Sequence, residues 1–140
     1  HRLLAKGQAV LDLGAAPGGF LQVLAELVGE RGAVVGVDLE PVRNLGKKWV
    51  RTGILDLLAP DAVEHIRALH AGPFDLVFFD PPYALPLASV ERALGRLVRL
   101  LAGGGTVVLH RRAVLPGDRT LVREIAVKSA LDLLRRSMNG

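Results

Sequence analysis

The chain contains no cysteine. Disulfides, thiolate metal sites and a cysteine nucleophile are excluded with it. Aromatic residues are scarce: four Phe, one Tyr and one Trp. The lone Tyr83, placed directly after Pro81-Pro82, therefore stands out against an aliphatic background. No apolar run approaches the ~20 residues of a membrane span. The segment His1-Arg2-Leu3-Leu4-Ala5-Lys6-Gly7 lacks the apolar core of a signal peptide. With neither export signal nor disulfides, a cytoplasmic location and no membrane partner are expected.

Half of the residues are hydrophobic and mean hydropathy is +0.34, which argues against disorder. A length of 140 residues suits one domain, residues 1–140, with a single well-buried core. Lys plus Arg number 18 against 14 Asp plus Glu, a net charge of +4. That balance is compatible with a polyanionic partner, and equally with ordinary solvated charge on an Arg-rich surface. It says nothing of oligomeric state.

Strand-like and helix-like patterns alternate. Ala9–Leu13 reads as a strand. Phe20–Val28 places Leu21, Leu24, Ala25 and Val28 on one helical face. Ala33–Val37 is a continuous β-branched run, as in a buried parallel strand, and closes on Asp38. A third strand is expected near Trp49–Thr52, with Asp56 just beyond it. Pro60-Asp61 opens a helix to about His70, and Gly72-Pro73 breaks it. Phe74–Phe79 is a fourth strand ending at Asp80. Leu87–Ala102 reads as a long amphipathic helix stopped by Gly103-Gly104-Gly105, before a fifth strand at Thr106–Leu109. Repeated βα units imply an α/β fold with a parallel sheet covered by helices. Thr120–Val127 and Ala130–Arg136 fit either an antiparallel hairpin turning at Lys128-Ser129 or one helix.

The most specific stretch is Asp12-Leu13-Gly14-Ala15-Ala16-Pro17-Gly18-Gly19-Phe20. A strand runs into a tight loop of small residues and then a helix. Small residues let a ligand approach the backbone, and a helix start offers unpaired N–H groups. In open α/β sheets ligands sit beyond the carboxyl ends of the strands. Asp38 lies at such an end, about twenty residues past the glycines, where a carboxylate can accept hydrogen bonds from both ribose hydroxyls. G-A-A-P-G-G is not the G-x-G-x-x-G of a dinucleotide fold. The rigid Pro17 and the alanines suit a compact ligand better than a pyrophosphate. A Gly-rich turn kept only for close packing is the plain structural alternative.

Asp12 through Phe20 resembles motif I of S-adenosylmethionine (SAM) dependent methyltransferases, in the form found in FtsJ/RrmJ-type ribosomal RNA ribose methyltransferases. The resemblance implies a Rossmann-like class I methyltransferase fold. It implies SAM as cofactor, held by Gly14, Ala15, Ala16, Pro17, Gly18, Gly19 and Phe20 around the methionine part. Asp38 and Leu39 would lie at the ribose, and Asp56 at the adenine amino group.

Asp80-Pro81-Pro82-Tyr83 resembles the D/N-P-P-Y/F motif of amino methyltransferases. An exocyclic base amine is a poor nucleophile because its lone pair is delocalised into the ring. A carboxylate and the Pro81 carbonyl can accept both amine hydrogens and aim the nitrogen at a methyl donor. Two prolines fix that backbone in advance, and Tyr83 can stack on an extruded base. A simple strand-ending turn is the alternative reading. The stretch from Phe74 to Tyr83, with Val107–Arg112, Leu121–Glu124 and Ala130–Arg136, also resembles RsmD-type rRNA guanine-N2 methyltransferases. That resemblance implies a seven-stranded, mostly parallel sheet with helices on both faces and a C-terminal antiparallel hairpin.

The leading expectation is methylation of a base amine in RNA, most specifically rRNA, with Asp80, Pro81, Pro82 and Tyr83 at the acceptor. Ribose 2′-O-methylation is the alternative. Its Lys-Asp-Lys-Glu set would take Asp80, but little room precedes the first strand for a lysine. At the end of the fifth strand stand His110-Arg111-Arg112. Arginine stays protonated and cannot act as a base, whereas His110 can. A non-catalytic SAM- or RNA-binding module and a nicotinamide-dependent reductase complete the alternatives. No N-terminal RNA-binding extension is expected within this sequence, so substrate grip is expected from Lys47, Lys48, Arg51, Arg111 and Arg112 near strand ends, with solvated surface charge as the alternative. No metal site is expected.

Overall fold

The computed structural model describes residues 4–79, 85–115 and 119–127, with the backbone alone described for 110–115 and 119–127. Its elements run β1 (Ala9–Leu13), α1 (Gly19–Val28), β2 (Ala33–Asp38), β3 (Val50–Ile54), α2 (Ala62–Leu69), β4 (Phe74–Phe79), α3 (Leu87–Leu97), β5 (Leu101–Leu115) and β6 (Arg119–Val127). One sheet takes them in the order β3-β2-β1-β4-β5-β6. Five strands are parallel, and β6 runs antiparallel on β5 from Val107↔Val127 to Leu115↔Arg119.

The α/β, parallel-sheet reading therefore stands, with two corrections. The described sheet has six strands rather than seven. The expected hairpin of Thr120–Val127 with Ala130–Arg136 is not shown, because its second arm lies outside the described residues. Thr120–Val127 is strand and not helix, and pairs back on β5.

Alternate residues of the central strands face two separate cores. Leu11, Leu13, Val35, Val37, Val77 and Phe79 join α2 and α3 on one side. Val10, Val34 and Leu76 join Leu21, Leu24, Ala25 and Val28 of α1 on the other. Right-handed crossovers require this division: the chain steps one way across the sheet through α1 and the other way through α3. Leu21, Leu24 and Val28 of α1 are fully buried, worth about 1.5–3 kcal/mol each. The close seat of α1 depends on Gly36 in β2, where an added Cβ would lie 2.7 Å from Leu21 Cδ1 and 3.0 Å from Ala15 Cβ.

The expected helix Leu87–Ala102 ends early. It closes at Leu97, passes through a 3-10 turn at Val98–Leu100 and enters β5 at Leu101. The glycines are not a helix stop but a looped-out part of the strand. Phe74 pairs with Leu101 and Leu76 with Thr106, so a two-residue step on β4 faces a five-residue step on β5. Glycines accept this detour because extra backbone carries no side chain to place. Among the described residues no helix is long and apolar enough to cross a membrane.

Candidate functional site

Strand registry levels the sheet at one edge. Gly53, Val37, Leu13, Phe79 and Leu109 form a single cross-sheet row through the pairs Val37↔Gly53, Leu13↔Val37, Leu13↔Phe79 and Phe79↔Leu109. The residues that follow this row in the chain are Ile54, Asp38, Gly14, Asp80 and His110. Strand order reverses between β1 and its neighbours β2 and β4, which makes this edge the topological switch point of the sheet.

The Gly14–Gly19 loop is held against β2 by a set of short bonds. Gly14 N–H and Ala15 N–H both donate to Val37 O, at 2.9 and 3.1 Å. Ala16 N–H donates to Asp38 Oδ2 at 3.0 Å. Arg43 N–H donates to Pro17 O at 2.9 Å, which draws the segment after β2 over the loop. Gly14 (φ 96°) and Gly18 (φ 127°) occupy backbone space that other residues rarely enter, and the Ala16–Pro17 peptide is cis.

This geometry corrects one expectation and keeps another. The amides of Gly14, Ala15 and Ala16 are not open to a ligand, because they fasten the loop. The open donors belong to the first turn of α1, where no side chain caps the helix start at Gly18. Phe20 lies half exposed in that turn, its ring edge-on to Phe78 at 5.0 Å.

Asp38 has two jobs. Its Oδ2 takes the Ala16 N–H, and its Oδ1 accepts the Glu40 N–H at 3.1 Å. A carboxylate has about four lone-pair sites, so each oxygen can still accept one more donor. Leu39 beside it is 65% exposed, and Ile54 at the end of β3 is 63% exposed. Asp56 lies two residues past Ile54, the register partner of Asp38, and its Oδ1 accepts the Leu58 N–H at 2.9 Å. The edge thus offers open backbone donors, two partly used carboxylates and two bare apolar side chains.

Asp80, Pro81, Pro82 and Tyr83 lie outside the described residues, as do the side chains of His110, Arg111 and Arg112. The backbone of His110 sits in β5 opposite Glu124. Lys6 stands just before β1 but at the far edge of the sheet, where its Nζ donates to Glu26 O at 2.7 Å. Lys47, Lys48 and Arg51 also lie at that far edge, at the start of β3 rather than at the loop. Asp12 had not been singled out as a site residue. It is the one buried charged residue among those described, 4% exposed at the penultimate position of β1. The signal for it was present: an acid within an apolar strand, two residues before the loop.

A model of the FtsJ-like methyltransferase family matches residues 1–113. The chain is 51% identical over 142 residues to ribosomal RNA large subunit methyltransferase E of Anaeromyxobacter dehalogenans (strain 2CP-C), covering all of this chain and 51% of that protein. It is 58% identical over 118 residues to the protein of the same name from Anaeromyxobacter sp. (strain Fw109-5), covering 77% of this chain and 43% of the relative. The chain thus spans about half the length of the curated relatives it matches. Among solved structures, a Plasmodium falciparum protein described as a ribosomal RNA methyltransferase superposes with a TM-score of 0.66 at 14% identity, covering 91% of this chain and 88% of that one. An arsenic(III) S-adenosylmethionine methyltransferase from Chlamydomonas reinhardtii gives 0.58 at 26% identity, covering 76% and 39%.

These findings overturn the RsmD-type reading of the second half and, with it, base-amine transfer as the leading chemistry. The family match runs unbroken through Asp80-Pro81-Pro82-Tyr83 and into β5. The physical reason for the misreading is the brevity of that motif. An acid and two prolines are a common way to end a strand, whatever the acceptor, whereas the loop and Asp38 together tie two elements across the sheet. SAM is the methyl donor of the family, as motif I implied. The chain belongs to the FtsJ-like methyltransferase family.

Proposed function

We propose that this chain binds SAM at the loop edge of the sheet and transfers its methyl group to a ribose 2′-hydroxyl of large-subunit ribosomal RNA. The observation that carries the reading is the coupling of Gly14–Gly19 to Asp38, in a chain whose relatives are named ribosomal RNA large subunit methyltransferase E.

The residues fit the cofactor. The free lone pairs of Asp38 suit a ribose diol, and the carboxylate is already oriented by Ala16 and Glu40. Leu39 and Ile54 supply apolar surface for a flat base, and Asp56 supplies an acceptor for an exocyclic amine. The uncapped first turn of α1, from Gly18 to Phe20, suits the carboxylate of a methionine moiety. When bound, SAM supplies an electrophilic methyl on a sulfonium.

The chain's own residues must then position a hydroxyl and accept its proton. Asp80 follows the cross-sheet row directly and is assigned as the carboxylate that takes the hydrogen bond of the 2′-hydroxyl. His110 follows the same row on β5 and is the neighbouring group able to take up a proton near neutral pH. Lys6 is at the wrong edge for either role.

Product analysis tests the reading. The chain is incubated with methyl-labelled SAM and unmethylated large-subunit rRNA. The RNA is digested to nucleosides and analysed by mass spectrometry. A label on the sugar is expected. A label confined to a base, or none on RNA while another acceptor is labelled, would overturn the assignment.

A further inference from the structure

At the edge of the sheet opposite the loop, a cavity of about 510 Å³ opens beneath the starts of β2 and β3. Its size is in the range of small-ligand sites, roughly 300–1,000 Å³. Lys48, Arg51, Arg67 and His70 line it against a single acid, Glu30, and Trp49 forms part of its wall. From this convergence of cations, the geometry points to a second RNA site, which holds phosphates of an RNA strand away from the cofactor edge.

Each component is placed by something other than chance exposure. The Trp49 Nε1–H donates to Ala25 O at 3.0 Å, which pins the indole edge to α1. Lys47 Nζ lies 5.1 Å from the ring centroid. The half-buried indole is therefore fixed in one orientation at the rim of the cavity, packed on the α1 core with the Lys47 ammonium over its ring. Arg67 Nη2 donates to Arg99 O at 3.2 Å, which steadies its guanidinium while other N–H groups remain. The His70 ring packs at 5.1 Å from that of Phe74.

Helix C-termini attract cations on their own account, and that accounts for Arg67 in the last turn of α2. It does not account for Lys48 and Arg51, which stand on a loop and a strand and face the same space. Cations converging from three elements on one cavity are what backbone phosphates require. The identification of the strand as RNA rests on the function proposed above; occupancy by phosphate does not.

Trp49 is the only tryptophan in the chain, so its fluorescence reports on this cavity alone. The chain is titrated with single-stranded hexauridylate and, separately, with uridine monophosphate. Hexauridylate is expected to change the emission saturably. Raising salt from about 50 to about 200 mM should weaken its binding roughly sevenfold if two phosphates are neutralised. The double variant Lys48→Gln/Arg51→Gln changes only exposed side chains. It should keep the wild-type melting temperature and bind the oligonucleotide roughly tenfold more weakly. No saturable change with hexauridylate, or equal affinity in the double variant, would overturn the site. Equal affinity for uridine monophosphate would overturn its assignment to an RNA strand. Methyl transfer is read separately, so loss of the one function is not mistaken for loss of the other.

Discussion

At the loop edge of the sheet, the groups that matter are backbone amides and carboxylates. Gly14, Ala15 and Ala16 are tied to Val37 and Asp38 by bonds of 2.9 to 3.1 Å. At the opposite edge, the groups are long cationic side chains around a cavity, spread over β3, α2 and the loop before β3. The first edge is preorganised by main-chain hydrogen bonds and tolerates little change. The second is an electrostatic surface whose parts act nearly additively. On the two readings proposed above, one sheet holds a small ligand rigidly at one end and a flexible polyanion at the other.

The sharpest break in this contrast is expected from Asp80→Ala. If Asp80 orients the acceptor hydroxyl, methyl transfer should fall by about 10²–10⁴-fold, while SAM affinity and Trp49 emission stay as in the wild type. Single-turnover transfer to rRNA measures it, and a change in SAM affinity instead would move Asp80 into the cofactor site.

Gly36→Val comes next and acts on stability. Its side chain would enter the space of Leu21 Cδ1, 2.7 Å from the new Cβ, and lift α1 from the sheet. A loss of about 3 kcal/mol is expected in urea denaturation, from overpacking at a site closed on both sides. Gly103→Ala is the matching control. Nothing lies within 4 Å of its added Cβ, and its effect should stay within about 0.5 kcal/mol.

Neutralising the far edge has a smaller effect again. Arg67→Gln alone should weaken hexauridylate binding by roughly threefold, through one lost phosphate contact, with SAM affinity unaltered. A large loss of SAM binding in that variant would mean that the two edges are coupled rather than separate.

The two edges also differ in how much of them was legible in the sequence. The loop edge is local: Asp12 to Phe20 is a continuous stretch, and Asp38 follows at a spacing set by one βα unit. Its ligand class could be read without coordinates. What could not be read was the use of the loop amides, because Val37 and Asp38 consume three donors that a linear reading leaves open. The far edge joins Glu30, Lys48, Arg51, Arg67 and His70 across four segments of the chain. Lys48 and Arg51 were visible as basic residues near strand ends, but not which end. The looped-out Gly103-Gly104-Gly105 was misread because glycine after an amphipathic run signals a helix stop equally well. The acceptor was misread because four residues at Asp80–Tyr83 carry less information than a loop locked to its neighbouring strand.

The decisive measurement is a calorimetric titration of the chain and of Asp38→Ala with SAM, followed in parallel by Trp49 fluorescence. The wild type should bind one SAM with no change in Trp49 emission, since the indole lies at the other edge. Asp38→Ala loses both the ribose acceptor and the Ala16 anchor, and its affinity should fall about 100-fold, from two charge-assisted hydrogen bonds of about 1.5 kcal/mol each. Absence of SAM binding by the wild type, or equal binding by Asp38→Ala, would contradict the assignment of the loop edge as the cofactor site.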